Sequence, residues 1–202
     1  MLILTVSTVA GLAIYRAALA DPVINHITLL TRRPVPSWAS PPPDAANKTT
    51  TILHNNFLSY PQEVARRLAE NDACIWALGK TSSGMNEQEY TKITHGYTLA
   101  AAQALKDASA GDGEGRSAQK PFRFVFIVFI SSELADPAAA SYMPMFTRVK
   151  GKTEKDLADL CNGAQHMKVH ILRPGYFFPS TQYPEDRRNQ RPRGDVFLDA
   201  FL

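Results

Sequence analysis

Residues Phe122 to Ile130 read Phe-Arg-Phe-Val-Phe-Ile-Val-Phe-Ile. A run this rich in aromatic and β-branched side chains is a strand, and a strand apolar on both faces belongs at the centre of a parallel sheet covered by helices on each side. Parallel neighbours cannot be joined by hairpins, so the chain must also supply crossover helices. The rest of the sequence meets that demand, because strand-like and helix-like patterns alternate along its whole length.

Leu2 to Thr5 is a short apolar run, Val6 to Gly11 is small and turn-like, and Leu12 to Leu19 favours helix with Arg16 toward solvent. Ile27 to Leu30 reads as a second strand ending at Thr31, Arg32 and Arg33, and Thr50 to Leu53 as a third. Between them Pro34 to Pro43 is a Pro- and Ser-rich surface connection with no core role. Pro61 to Glu70 has a helical pattern with Val64, Ala65 and Leu68 on one face, and Ala73 to Leu78 is a strand closed by Gly79. The loop Lys80 to Met85 is rich in small hydroxyl residues. Glu87 to Lys106 is the longest helix, its Tyr90, Ile93, Tyr97, Ala101 and Leu105 near one face. Ser109 to Lys120 is a polar, Gly-rich excursion. Phe146 to Leu160 is a helix containing Lys150, and Lys168 to Leu172 is a last strand ending at Arg173, Pro174 and Gly175. From Tyr176 the chain turns aromatic, then Pro- and Arg-rich, and reads as a solvated tail.

A chain of 202 residues suits one α/β domain with a sizeable core. A net charge of +3 with scattered arginines argues against nucleic acid as a partner. Cys74 and Cys161 are the two cysteines, too few and too far apart for a disulfide framework or a zinc site, which favours a reducing compartment. The opening segment has a rival reading: an apolar start, then Ala18-Leu19-Ala20 before Asp21-Pro22, has the form of a secretory signal with its cleavage site. Asn47-Lys48-Thr49 even spells a glycosylation acceptor. No Lys or Arg precedes the apolar run and Arg16 follows it, so a first strand in a cytoplasmic protein is favoured over secretion. Met1 to Tyr15 also falls short of the ~20 apolar residues that span a bilayer.

A strand, a tight turn and a helix at the start of an α/β chain are where a dinucleotide-binding fold keeps its glycines and seats its pyrophosphate on the helix N-terminus. Here Val6 and Val9 stand where the first two glycines are expected and Gly11 remains, leaving Ser7, Thr8 and Gly11 as candidate phosphate contacts. A β-branched residue where φ must be positive or where phosphate must approach costs ~1–3 kcal/mol. At the end of the second strand an acid suits a free ribose 2′-hydroxyl and Arg a 2′-phosphate, so Arg32 and Arg33 favour NADP over NAD; the alternative is a solvated strand end. Ser131 and Ser132 follow the Phe122 run directly, at the carboxyl edge where open α/β sheets bind ligands.

Taken in order, Leu29-Leu30-Thr31-Arg32-Arg33, Ala73 to Gly79, Ile93 to Tyr97, Ser131-Ser132-Glu133-Leu134-Ala135-Asp136, Arg148-Val149-Lys150-Gly151 and Leu172-Arg173-Pro174-Gly175 resemble the atypical short-chain dehydrogenase/reductases. The likeness extends to the Tat-interacting-protein type oxidoreductases and related fungal NAD(P)-binding proteins, and runs from about Leu2 to Pro179. It implies a Rossmann-like, doubly wound sheet over residues 1–179, with loops at 34–49 and 109–120 and a polar tail at 180–202. It assigns Arg32 and Arg33 to the adenosine phosphate, Leu78 and Gly79 to the middle of the cofactor, and Pro174 and Gly175 to the nicotinamide side. Asn56 falls where relatives often carry an Asp that meets the adenine. Such enzymes use a Ser to hold a substrate carbonyl, a Tyr as general acid or base and a Lys four residues on that also binds the ribose. Ser132 or Ser131 and Lys150 are present, but the Tyr position is Phe146, which cannot donate a proton. Tyr142 sits one turn earlier, beyond Pro144. The end at Leu202 comes early for such a family, as in a truncated chain. Three readings stay open: an NADP-dependent oxidoreductase on a small carbonyl or alcohol, a dinucleotide-binding regulator without turnover, and a degraded relative.

Overall fold

In a computed structural model the described residues are 2–4, 9–39, 45–80, 82–108, 121–127, 142–162, 164, 166–173, 181–184 and 186. Six strands, β1 (Leu2–Leu4), β2 (Ile27–Thr31), β3 (Thr49–Leu53), β4 (Ala73–Trp76), β5 (Phe122–Ile127) and β6 (Met167–Leu172), form one parallel sheet in the order β3-β2-β1-β4-β5-β6. The register pairs Leu4 with Leu30 on one side and Trp76 on the other, and Ile127 with Leu172. The chain steps outward from β1 to β3, then returns to lay β4 against β1. The order therefore reverses between β1 and β4, and the strands share one carboxyl edge.

Alternation along the strands feeds two cores. On one face Leu30, Cys74, Trp76, Phe122, Phe124 and Met167 pack against α3 (Gln62–Ala69), α5 (Tyr97–Asp107) and α6 (Met145–Asn162) through Leu68, Ala101, Leu105 and Leu157. On the other, Ile27 and Leu29 meet Leu12, Tyr15 and Ala18 of α1 (Val9–Ala20). β2 is buried along its whole length because both faces are covered. Burial at Tyr90, Ala101 and Leu105, with Ile93 and Tyr97 packed against the core, agrees with the helical face read from the sequence.

Several expectations need correction. The strand Phe122–Ile127 is not central: β1 and β4 are, and β5 lies between β4 and the edge strand β6. Nor is it apolar on both faces, since Phe122 and Phe124 are fully buried while Arg123, on the other face, is exposed. Its apolar run identifies an interior strand, but crossovers decide its rank in the sheet. The helix expected over Glu87 to Lys106 is three segments, α4 (Glu87–Thr91), a π-turn at Lys92–Gly96 and α5. The Pro-rich connection does have a core role. Its Ser37–Ala39 turn is 3₁₀, Ala39 is buried in the α1 cluster, and Val35 and Trp38 pack against it. Just beyond it lies α2 (Ala45–Lys48), whose Lys48 ammonium donates to the carbonyls of Ala18 and Leu19 at 3.0 Å and of Asp21 at 2.6 Å. It thereby satisfies carbonyls at the end of α1 that the helix itself leaves unpaired.

Arg16 is the largest departure. Expected in solvent, it is 9% exposed. Its guanidinium bonds Asp186 at 2.6 and 3.2 Å and the Ala39 carbonyl at 2.8 Å, and lies 3.6 Å from the centre of the Tyr183 ring. The segment read as a solvated tail thus places Tyr183 and the buried Asp186 on α1. Among the described residues no helix is long and apolar enough to cross a membrane.

Candidate functional site

Parallel strands deliver their ends to one edge, and the described site residues lie after β2 and β3, after β4, and on α1 and α6. Arg32 and Arg33, both exposed, follow β2. The Thr31 hydroxyl donates to the Arg33 carbonyl at 2.9 Å, which fixes the path of the two arginines. Neither guanidinium is paired with an acid among the described residues. Next door, the His54 backbone N–H donates to the Thr31 carbonyl at 2.9 Å, tying the end of β3 to that of β2. His54 Nε2 faces the carbonyls of Asn56 and Ser59 at 2.7 and 3.0 Å; both accept, so Nε2 carries the proton. Asn56 is exposed, and its side-chain oxygen is turned into its own loop, accepting from the Leu58 N–H at 3.2 Å. Asn56 and the arginine pair therefore share the β2–β3 end of the edge.

At the switch point, Leu78 is buried and Gly79 is exposed with no atom within 4 Å of the place a side chain would occupy. Helix α1 begins at Val9, earlier than expected, so Gly11 lies inside the first helical turn and is buried instead of forming the turn before it. That suits the role of the glycine that lets helix pack on strand. Ser7, Thr8, Ser131, Ser132, Pro174 and Gly175 lie outside the described residues.

Further residues stand on α6, which leaves the carboxyl edge after β5. Lys150 is 8% exposed in the second turn of α6, its ammonium 5.9 Å from the centre of the Phe146 ring. Tyr142 falls before α6 and is 86% exposed, so it does not stand in for the missing phenol. One turn beyond Lys150, Glu154 is 3% exposed and takes a two-point bond from Arg173, with Nε to Oε1 at 3.1 Å and Nη2 to Oε2. That bond raises the Arg173 pKa further. At the start of α6, Arg148 bonds Glu87 at 2.9 and 2.8 Å. Glu154 went unnoticed in the sequence. Its signal was the four-residue spacing from Lys150, which puts two charged groups on the buried face of one helix.

Burial pushes the Cys161 thiol up to about 11 and raises Cys74 as well, so neither is a thiolate at neutral pH. Among the described residues no group of His, Cys, Asp and Glu could hold a metal ion.

No protein-family model matches the sequence. Among curated proteins the chain is 26% identical over 174 residues to "Protein FMP52, mitochondrial" of Candida albicans, covering 86% of this chain and 65% of that protein. It is 28% identical over 89 residues to "Leucinostatins biosynthesis cluster protein T" of Purpureocillium lilacinum, covering 44% and 31%. It thus spans about two thirds of one relative and a third of the other. Among solved structures it superposes on the PhqB reductase domain of Penicillium fellutanum with a TM-score of 0.63 at 14% identity, over 87% of this chain and 48% of that one. UDP-glucuronic acid 4-epimerase of Bacillus cereus, solved with NAD, gives 0.61 at 14%, over 85% and 54%. A short-chain dehydrogenase of Streptomyces avermitilis gives 0.59 at 17%, over 89% and 66%. The fold is that of the short-chain dehydrogenases and reductases. Within this Rossmann fold the edge between β1 and β4 is the switch point at which open α/β sheets take their ligands.

Proposed function

We propose that the protein binds a nicotinamide dinucleotide across the β1/β4 switch point, NADP in preference to NAD. The observation that carries this is the arginine pair at the end of β2, exposed, braced by Thr31 and without an acid partner among the described residues. Two guanidiniums there suit a ribose 2′-phosphate, where an acid would suit a free hydroxyl. The neighbouring residues fit the rest of such a ligand. The N-terminus of α1 faces the edge, Gly11 is packed in its first turn, and Gly79 leaves open space where the middle of a dinucleotide would pass.

Bound there, the cofactor would supply hydride for a small carbonyl or alcohol substrate. Lys150 would bind the ribose from α6, and Ser132 or Ser131 would hold the carbonyl oxygen. Phe146 and the exposed Tyr142 favour a second reading, a protein that binds the dinucleotide without turnover, since Phe146 cannot deliver a proton and Tyr142 lies out in solvent. The buried free thiols Cys74 and Cys161 support a reducing compartment, with the cytoplasm the simplest choice.

Titration with NADPH, followed by nicotinamide fluorescence, tests the proposal. Saturable binding is expected, and Arg33→Ala should weaken NADPH about tenfold, the order of one charge-assisted hydrogen bond, while changing NADH little. No saturable change up to millimolar NADPH refutes binding, and equal weakening of both cofactors refutes the 2′-phosphate role. Carbonyl-dependent NADPH oxidation that disappears in Lys150→Ala supports the oxidoreductase. Intact binding with no turnover across a broad carbonyl panel supports the second reading.

A further inference from the structure

Residues Tyr142 to Phe146 read Tyr-Met-Pro-Met-Phe, and not one of them is buried. Tyr142 is 86% exposed and the other four are partly exposed. An uninterrupted apolar run on a surface is a liability unless something covers it. Nor is the run loose. The Arg148 guanidinium donates from Nε to the Met143 carbonyl at 3.2 Å, and from Nη1 and Nη2 to the Glu87 carboxylate at 2.9 and 2.8 Å, which ties the turn to the start of α4. The Thr147 N–H donates to the Pro144 carbonyl at 3.0 Å at the start of α6. Apolar side chains are thus held at the surface by a hydrogen-bonded frame.

The direction of α6 places this run over the carboxyl edge. The helix ends at Asn162 and β6 opens at Met167, so α6 runs opposite to the strands. Glu154 bonds Arg173, the first residue past β6, which sets Glu154 level with the end of the sheet. At 1.5 Å per residue, Lys150 stands about 6 Å and Phe146 about 12 Å beyond that level. The Phe146 ring lies 5.9 Å from the Lys150 ammonium, so the run continues directly from the lysine.

We infer that the Tyr142–Phe146 turn is the apolar wall of a substrate recess, and that the substrate is a carbonyl compound bearing an aromatic or alkyl group, or the corresponding alcohol. This rests on the dinucleotide reading above and names its substrate class. The rings of Tyr142 and Phe146 offer flat faces, and two unbranched methionines adapt to a ring or a chain. No charged side chain lies between Tyr142 and Thr147, and all three guanidinium nitrogens of Arg148 are engaged. The turn therefore offers nothing to a phosphorylated or carboxylate-bearing substrate. Arg148 is a positioning residue, holding the wall without touching what it binds.

Because Phe146 cannot deliver a proton, the test reads binding. The whole chain at saturating NADPH is titrated by calorimetry with benzylacetone, an aryl ketone, and with dihydroxyacetone, a polar one. Benzylacetone should bind at least about tenfold more tightly, the order expected for burying a ring against apolar side chains. Met143→Gln combined with Met145→Gln keeps side-chain length and loses apolarity. It should weaken benzylacetone by about fivefold or more and leave NADPH within about twofold. Equal affinity for the two ketones overturns the inference, as does a benzylacetone affinity that the double variant leaves unchanged. Equal weakening of NADPH and benzylacetone marks a general loosening and overturns it too. Should the double variant fail to fold, Tyr142→Ser, at the most exposed position of the run, gives the same readings. A titration of benzylacetone without NADPH separates the two claims. NADPH binding with no benzylacetone binding overturns the wall and leaves the dinucleotide reading standing. Benzylacetone binding that the substitutions weaken, in a chain that does not bind NADPH, supports the wall and refutes the dinucleotide reading.

Discussion

Replacing Arg16 would remove a cation from a place where water cannot take over its partners. Its side chain and that of Asp186 are 8% and 3% exposed, so an Arg16→Met protein must fold around an unpaired buried carboxylate. Such a loss costs ~3–5 kcal/mol, whereas two apolar residues of similar volume in place of the pair are often tolerated. Arg16→Met is therefore expected to lower the chemical denaturation midpoint sharply, and adding Asp186→Leu to recover much of the loss. A double variant as unstable as the single one would show that the pair contributes more than mutual neutralisation. The sequence around Arg16 offered no warning. A lone arginine in a helix defaults to solvent, and its partner lies 170 positions away. Lys150 differs: its place four residues after Phe146 singled it out in the sequence, and it is 8% exposed on α6.

At the scale of elements, the junction between α6 and the π-turn depends on one carboxylate. Asp156 accepts from His95 Nε2 at 2.7 Å and also bonds Lys152 one turn away. Partial burial pushes the Asp156 carboxyl up, but the bonds from Lys152 and His95 outweigh it and hold the group below its ordinary value. A depressed folded value means that stability is present above the unfolded value near ~3.9 and is lost as pH falls through the lower folded one. Melting temperature measured from about pH 5 down to pH 3 should thus fall less steeply in Asp156→Asn than in the wild type. Parallel curves would remove Asp156 from acid unfolding. The long helix itself was legible from its apolar face; its π-turn was not. A single inserted residue shifts hydrogen bonding by one position without erasing the stripe at Tyr90, Tyr97 and Leu105.

Across the whole molecule, a ligand at the switch point would touch both halves of the sheet, which meet where β1 pairs with β4. Binding to the folded state alone stabilises by mass action, about 2.7 kcal/mol at a hundred times Kd. NADPH at that excess should raise the melting temperature by several degrees for a chain of this size, and NADH at the same concentration by less. A melting point indifferent to NADPH would count against a folded-state site.

Local chemistry in the chain was enough to specify six strands, the crossover helices and a parallel sheet, because periodicity, β-branching and prolines act over a few residues and need no partner. Three matters were decided only in three dimensions: the rank of β5 in the sheet, the burial of Arg16 under Tyr183 and Asp186, and the hold of Glu154 on Arg173. Each depends on groups distant in sequence that meet only once the crossovers have closed. A charged side chain moves inward when such a meeting supplies its counter-charge, and nothing within a few residues of it records that one will arrive.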